Sequence, residues 1–275
     1  VIVKVHACGV CGTDVNFLKQ WEEDPMPLGH EIAAEVLDTG GEVAGLFPGD
    51  RVIVEDSAMC GTCASCKGGI PERCVNAFTL GGQPGMGLYM RVRHNNLVKF
   101  KDLDYVDASL TEPLAVSLNA VLKAEIPPLG SVAILGCGPL GLMAARVARQ
   151  LGAGYILMTD VNTQSPLGKA RTELALRWGA DRVVDGARDD VAAAIRENCP
   201  DGVDRVIVSA PPESLHDAVK IIGYGGIVAF FGLHFGGRNR VELDVNHLIF
   251  RKITLRPVFA EPAIHFHLSL DLLQR

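Results

Sequence analysis

Residues 131–160 read SVAILGCGPLGLMAARVARQLGAGYILMTD, and this stretch decides the fold of the second half of the chain. An apolar β-type run is followed by a glycine-rich turn, a helical stretch and a second apolar run that ends at Asp160. The turn, from Gly136 to Gly141, has the spacing G-x-G-x-x-G, in which glycines let a pyrophosphate approach a helix N-terminus. A strand before this turn and a helix after it are the context that the motif requires.

The acidic residue after the second run indicates which dinucleotide binds. Asp160 lies 19 residues beyond Gly141, where a carboxylate can accept hydrogen bonds from both ribose hydroxyls of NAD. It would repel the 2′-phosphate of NADP, although Lys169 and Arg171 further along leave NADP open. A helix N-cap or a loop acid is the alternative interpretation of Asp160. The candidate cofactor-binding residues are Gly136, Gly138, Pro139, Leu140, Gly141, Asp160, Val161, Ala210 and Leu233. The last two are placed by the order of the predicted strands.

The alternation of strands and helices continues beyond Asp160. Helical patterns such as SLHDAVKIIG alternate with apolar runs such as DRVIVSA and GIVAFFGL, which predicts a doubly wound parallel sheet. Residues 1 to about 110 instead carry Gly, Pro and short β-type runs, typical of a mainly β domain. We therefore expect an α/β protein with domains at 1–117 and 118–275. Because the chain starts within a strand and stops in an apparent helix, we expect both ends to be truncated.

Four cysteines lie close together in CGTCASCKGGIPERC, with the spacing C-x2-C-x2-C-x7-C. Four thiolates suit tetrahedral Zn²⁺, and a site closed by four sulfurs leaves no position for a substrate. This pattern predicts a structural zinc lobe at about residues 57–76. Two disulfides in a secreted loop and a zinc ribbon for nucleic acid are the alternatives. The predicted ligands are Cys60, Cys63, Cys66 and Cys74.

Composition argues against several function classes. A net charge of −6 argues against nucleic acid or an anionic membrane as a partner. No apolar run reaches the ~18 residues that would span a bilayer, and no signal peptide is recognisable. Eight cysteines without a secretion signal indicate a reducing compartment in which thiolates bind metal. We expect a cytoplasmic enzyme whose partner is a small molecule.

A second metal site is indicated by residues in three separate segments. Cys11 lies in the loop of VHACGVCGTD, His30 and Glu31 lie in LGHE, and Glu112 begins a predicted helix in TEPLAV. One thiolate, one imidazole and one carboxylate would hold a zinc that keeps a position open for a substrate oxygen. Taken singly, Cys11 fits a buried small residue or a redox pair with Cys8, and His30 fits a packed or surface histidine.

Taken in order, CGVCGTD, GHE, the cysteine lobe, EPLAV and GCGPLG resemble the zinc-containing medium-chain dehydrogenase/reductase family, within the alcohol dehydrogenase superfamily. The chain is most similar to the sorbitol, threonine and glucose dehydrogenase branch, and the resemblance covers nearly its whole length. It implies a GroES-like catalytic domain and a Rossmann domain, with the active site in the cleft between them. It also implies a homodimer or a homotetramer.

The resemblance assigns roles by position. Cys11 and His30 match the ligands of the catalytic zinc, and either Glu31 or Glu112 completes the set, which makes two zincs per chain. Thr13 matches the hydroxyl that passes the substrate's proton onward. The implied reaction is hydride transfer between NAD and a secondary alcohol, as in the NAD(P)-dependent alcohol dehydrogenases (EC 1.1.1). The implied substrates are polar: a polyol, a cyclitol or sugar, or an amino alcohol such as threonine.

The chain departs from the family's pattern at several positions. Asn16 stands where many relatives carry a proton-relaying histidine, and Asn119 where they often carry another. Residues 160–179 are several positions longer than usual, near the expected adenosine site. Asp14, by contrast, keeps to the pattern and matches an acid beside the metal. Asn16 and the expected truncation of both ends leave a second hypothesis open, a non-catalytic NAD- and zinc-binding sensor or structural subunit on the same fold. A zinc-free quinone reductase conflicts with the presence of both metal motifs.

Overall fold

A computed structural model describes residues 1–20, 27–234, 237, 239–259 and 265–274. Its contacts divide the chain into two compact units: unit 1 comprises Val1–Ala115 and Ala260–Arg275, and unit 2 comprises Val116–Phe259. The first boundary lies two residues from the one expected after residue 117. The last residues, expected in the second domain, belong instead to unit 1.

The C-terminal helix belongs to unit 1 because its apolar face completes a core there. Phe266 and Leu270 are 2% and 6% exposed and pack in one cluster with Ile53, Phe100 and Ala115. Burial of two large side chains contributes about 3 kcal/mol or more. An assignment from the order of elements cannot detect such a return of the chain.

Unit 1 is built on antiparallel strands. The five-stranded sheet has the order β6-β1-β2-β3-β7, and a separate pair of strands, β4 and β5, lies beside the cysteine lobe in the sequence. The strands are β1 (Ile2–Gly9), β2 (Glu31–Asp38), β3 (Arg51–Val54), β4 (Ser57–Ala58), β5 (Phe78–Thr79), β6 (Tyr89–Arg91) and β7 (Leu97–Lys99). The helices are α1 (Gly12–Gln20), α2 (Ala64–Lys67), α3 (Tyr105–Ser109), the first turn of α4 (Thr111–Ala124) and α10 (Phe266–Leu273).

The side chains of β2 alternate between two cores. Ile32 and Ala34 pack with Val3 and Val52 on one face of the sheet, whereas Ala33 packs in the cluster of the C-terminal helix on the other. This period of two is what a strand buried on both faces requires. It holds β2 in register with β1, which positions the site described below.

Unit 2 contains a six-stranded parallel sheet with the order β10-β9-β8-β11-β12-β13. The strands are β8 (Ser131–Leu135), β9 (Tyr155–Asp160), β10 (Arg182–Asp185), β11 (Val203–Val208), β12 (Ile222–Phe230) and β13 (Thr254–Pro257). The helices are the rest of α4, α5 (Pro139–Gln150), α6 (Pro166–Arg177), α7 (Val191–Arg196), α8 (Leu215–Ile221) and α9 (Val245–Arg251). The predicted α/β class and doubly wound sheet are confirmed. None of the helices described is long and apolar enough to cross a membrane.

The strand order reverses next to β8. From β8 the chain proceeds to β9 and β10 on one side, and then to β11, β12 and β13 on the other. In open α/β sheets, ligands bind at such a point, outside the carboxyl ends of the strands. Here the ends of β8 and β11 lead directly into Gly136 and Ser209.

Candidate active site and metal centres

The four lobe cysteines bring their sulfurs together. The Sγ atom of Cys63 lies 3.5 Å from that of Cys66 and 4.0 Å from that of Cys74, and the Cys60 and Cys66 sulfurs are 4.0 Å apart. All eight cysteines of the chain are free thiols, and a disulfide requires an S–S distance of about 2.05 Å. The disulfide alternative therefore does not hold in this structure.

The lobe fits a structural zinc. The backbone N–H of Cys60 donates to Cys74 Sγ and that of Cys63 donates to Cys60 Sγ, each at 3.3 Å. Hydrogen bonds from the backbone and hydroxyl of Thr62 lower the pKa of the Cys60 thiol to about 6. Because the thiolate is the metal ligand, this lowering favours metal binding. Four sulfurs complete a tetrahedral shell and leave no open position.

Cys11, His30 and Glu31 form a second cluster in unit 1. One ligand atom from each residue lies within 4.8 Å of the other two. In the antiparallel register of β1 and β2, Gly9 pairs with Glu31, which brings the loop after β1 beside the start of β2. Ligands of a tetrahedral zinc are about 3.5 Å apart. A sulfur, a nitrogen and an oxygen within 4.8 Å of one another need to move by about 1 Å at most to bind one zinc, with a fourth position left for a substrate.

Asp14 joins the two segments that carry these ligands. Its side chain is almost fully buried, Oδ2 accepts a hydrogen bond from the N–H of Cys11, and Oδ1 accepts one from the N–H of Gly29, both at 3.0 Å. Oδ1 also lies 3.7 Å from His30 Nδ1. A carboxylate beside a ligating histidine fixes the ring's orientation and tautomer. Asp14 therefore lies beside the candidate metal cluster.

Cys11 and His30 polarise each other. Burial opposes the thiolate, but hydrogen bonds from His30 and Thr13 outweigh it and hold the pKa of Cys11 below its usual value. The hydrogen bond with Cys11 is the main reason that the pKa of His30 rises to about 9, and the charge of Glu112 adds to it. Metal binding requires a thiolate and a neutral imidazole. The thiolate form of Cys11, which binds metal, is therefore favoured, whereas His30 would release a proton when a metal binds.

The two candidate glutamates occupy different places. Glu31 lies inside the cluster, and its burial raises the pKa of its carboxyl. Glu112 lies outside the group of ligand atoms within 4.8 Å, although its charge acts on His30. Burial, with repulsion from Asp56, raises the pKa of Glu112 to about 8. Asp56 has no sequence signal, because it is a single acid between a strand and the cysteine lobe.

Thr13 and Cys8, the neighbours of Cys11 in the motif, have different surroundings. The backbone N–H of Thr13 lies 3.5 Å from Cys11 Sγ, so the candidate relay hydroxyl belongs to a residue beside the cluster. Cys8 instead packs against the apolar core around Val3 and Ile32. Burial raises the pKa of its thiol to about 11. A protonated, packed thiol is unsuited to the redox C-x-x-C alternative.

Gly9 makes room for the Glu31 carboxylate. A Cβ built on Gly9 would lie 1.9 Å from Glu31 Oε2, whereas one on Gly12 would meet nothing within 4 Å. We expect Gly9→Ala to displace the flexible carboxylate, to weaken zinc retention and to lower alcohol oxidation by at least about tenfold. Gly12→Ala is the matched control. Zinc per chain and initial rates measure both effects, and a Gly9→Ala protein with unchanged zinc and rate would remove Glu31 from the ligand set.

The glycine-rich loop of unit 2 is closed by backbone contacts. Gly136 has φ +111°, a conformation that favours glycine. A Cβ on Gly141 would lie only 1.9 Å from the carbonyl oxygen of Gly136. The hydroxyl of Ser209 and the N–H of Ala210 both donate to the carbonyl of Leu135, at 3.1 and 2.9 Å. Ser209 was not expected from the sequence, since a serine after a strand carries no motif.

The face of the loop that would receive a pyrophosphate is open. Gly138 is the N-cap of α5, and a Cβ built on it would meet nothing within 4 Å. Leu233 is 61% exposed, next to Gly232, whose Cβ would lie 2.0 Å from the carbonyl oxygen of Ala210. The structure thus brings Ala210 and Leu233 to the same edge of the sheet as the loop.

Asp160 fits a ribose-binding carboxylate. Its side chain is 9% exposed; Oδ1 accepts from the N–H of Val161 at 2.9 Å, but Oδ2 has no hydrogen-bond partner among the residues described. The Nη1 atom of Arg171 lies 3.6 Å from Oδ2. Ribose hydroxyls would supply the missing donors that a buried carboxylate oxygen needs. The connection after Asp160 is anchored by Thr163, whose N–H and hydroxyl donate to Asp185 at 3.0 and 2.9 Å.

Comparison with known proteins assigns both halves of the chain. Residues 1–102 match the family described as Alcohol dehydrogenase GroES-like domain, and residues 139–274 match Zinc-binding dehydrogenase. The chain belongs to the zinc-containing alcohol dehydrogenase superfamily. The dehydrogenase is 33% identical over 271 residues to sorbitol dehydrogenase of Bacillus subtilis, covering 94% of this chain and 74% of that protein. It is 31% identical over 272 residues to L-threonine 3-dehydrogenase of Shewanella sediminis, covering 94% and 76%.

Solved structures share the fold of this dehydrogenase. Alcohol dehydrogenase TADH from Thermus sp. ATN1 has a TM-score of 0.87 at 26% identity, covering 99% of this chain and 81% of that chain. A Sinorhizobium meliloti protein bound to NADP has a TM-score of 0.87 at 30% identity, covering 100% and 80%. The resemblance predicted from the motifs is confirmed.

Proposed function

We propose that this dehydrogenase transfers a hydride between NAD and a polar secondary alcohol, a polyol, cyclitol or amino alcohol, with one zinc at Cys11, His30 and Glu31. The observation that carries the proposal is the convergence of these three ligand atoms within 4.8 Å. A second zinc would occupy the closed lobe of four cysteines. We propose Glu31 as the third ligand, because Glu112 lies outside the cluster.

The residues around the cluster divide the work of the reaction. Bound zinc would act as a Lewis acid that lowers the pKa of a substrate hydroxyl. Asp14 holds the Cys11 loop against the His30 segment through its two backbone hydrogen bonds. We assign Thr13 the transfer of the hydroxyl proton toward solvent. Asn16 cannot titrate, so water takes the part that a histidine has in many relatives.

Carboxylates around the cluster support a polar substrate. The side chains of Glu112 and Asp56, whose charges interact beside the cluster, form an acidic environment that can share hydrogen bonds with additional hydroxyl or ammonium groups of a substrate. Both relatives described above are named for polar substrates, sorbitol and threonine. A purely aliphatic alcohol would offer these two carboxyl groups no hydrogen-bond partner, at a cost in affinity.

NAD is the preferred dinucleotide in this proposal. Asp160 Oδ2, which accepts no hydrogen bond from the residues that the structure describes, can accept one from the ribose and would repel a 2′-phosphate. Arg171, 3.6 Å from the same oxygen, partly offsets that repulsion, so the preference is one of degree. By kinship we also propose a homodimer or homotetramer in the cytoplasm.

The test is zinc content together with NADH formation by the purified wild-type protein. We expect two zinc ions per chain and NADH formation from polyols, cyclitols or amino alcohols. Dialysis against a chelator that removes one zinc should abolish the reaction, and added zinc should restore it. One zinc per chain, with NAD binding but no turnover, would overturn the proposal in favour of a non-catalytic sensor or structural subunit.

A further inference from the structure

A pocket of about 190 Å³ lies in unit 2, away from the glycine-rich loop. It is formed where Gly202 precedes β11 and Ile221 precedes β12. These are the amino ends of parallel strands, whereas Gly136 and Ala210 follow the carboxyl ends of β8 and β11. The pocket is therefore at the opposite edge of the sheet from the proposed cofactor site.

Three cations line this pocket, each from the end of a different helix. Arg196 ends α7, Lys220 lies in the last turn of α8, and Arg251 ends α9. Asp201 is the acidic residue of the lining, so the lining side chains carry two net positive charges. The pocket has room for a phosphoryl group together with water.

Arg251 is positioned by hydrogen bonds to two backbone carbonyls. Its Nη2 atom donates to the carbonyls of Asp201 and Ile222, both at 3.2 Å. Its Nε atom is buried and has no hydrogen-bond partner among the residues described. Arg196 takes part in no ion pair within the described part of the chain, and Lys220 has an exposed partner, Asp217, at 3.4 Å.

Helix C-termini carry partial negative charge, which accounts for a cation at each helix end. It does not account for three of them lining one pocket that holds a single acidic side chain. Guanidinium and ammonium groups bind phosphate through short, charge-assisted hydrogen bonds. We propose that this pocket is a binding site for a phosphoryl group, either free phosphate or the phosphate of a small monoester.

The test is a titration with inorganic phosphate followed by ³¹P line broadening, with and without saturating NADH to occupy the glycine-rich loop. Three proteins are compared: wild type, Arg196→Gln with Lys220→Gln, and Arg146→Gln with Arg177→Gln. The last pair is exposed, helical and outside the pocket, so it makes the same change in net charge. Arg251 is left intact because it also binds two backbone carbonyls.

We expect saturable broadening in the wild type and in the Arg146/Arg177 variant, with affinity at least about tenfold weaker in the pocket variant. Tighter binding of methyl phosphate than of inorganic phosphate would identify a monoester as the ligand. Equal affinity in all three proteins, an equal loss in both variants, or no saturable binding would overturn the proposal. None of these outcomes depends on zinc or on turnover.

Discussion

Cys11→Ser is expected to lower zinc content from two ions per chain to one and alcohol oxidation at least about 10³-fold. Serine has a hydroxyl that stays protonated near neutral pH and is a much weaker zinc ligand than a thiolate. Loss of groups that merely orient metal ligands costs roughly 10- to 100-fold, and loss of a ligand exceeds that. The four sulfurs of the lobe belong to other cysteines, so the structural zinc should remain bound.

Cys8→Ser is the matched control for Cys11→Ser. The sulfur of Cys8 is outside the metal cluster and packs against the core of unit 1. We expect the control to retain both zincs and most of the rate, with a loss of stability of about 1 kcal/mol from a half-buried hydroxyl. Metal analysis, NADH formation and thermal unfolding measure the three quantities. If both variants lose the same zinc, or neither does, Cys11 is not the distinguishing ligand.

Gly141→Ala is expected to damage unit 2 even without cofactor. Its Cβ would lie 1.9 Å from the backbone oxygen of Gly136 and 2.8 Å from Ser209 Oγ, and the backbone cannot yield without opening the turn. Overpacking of this kind costs about 2 kcal/mol or more, which corresponds to a fall in Tm of about 5 °C or more. NAD affinity should fall by at least about 100-fold, since the turn that would hold the pyrophosphate changes shape.

Gly138→Ala is expected to lower NAD affinity without lowering the stability of unit 2. Because nothing lies within 4 Å of its Cβ, the cofactor-free protein should keep its Tm to within about 2 °C. NAD affinity should nevertheless fall, because the methyl group occupies the face that would receive the pyrophosphate. Thermal unfolding and NAD titration of the two variants provide the comparison. An unchanged NAD affinity in Gly138→Ala would place the pyrophosphate elsewhere.

The local spacing of residues was sufficient to predict the glycine-rich loop and the cysteine lobe. The context of the G-x-G-x-x-G turn predicted the strand, loop and helix around Gly136, and the cysteine spacing predicted a lobe whose sulfurs do come together. Both signals lie within a few residues of chain, where backbone geometry leaves few alternatives. The convergence of Cys11 with His30 and Glu31 was expected only from the resemblance of the whole set of motifs, because 19 residues separate Cys11 from His30.

Tertiary structure decided the rest. The pairing of Gly9 with Glu31 in the β1–β2 register, the approach of Asp56 to Glu112 and the return of the C-terminal helix to unit 1 all join distant segments. No local pattern encodes such contacts, because they depend on which apolar faces bury each other. The sequence by itself determined the fold class, the dinucleotide loop and the cysteine lobe, through local periodicity and spacing. Only packing decided that Glu31, and not Glu112, lies in the cluster with Cys11 and His30. Packing also decided that cations from three helix ends line one pocket.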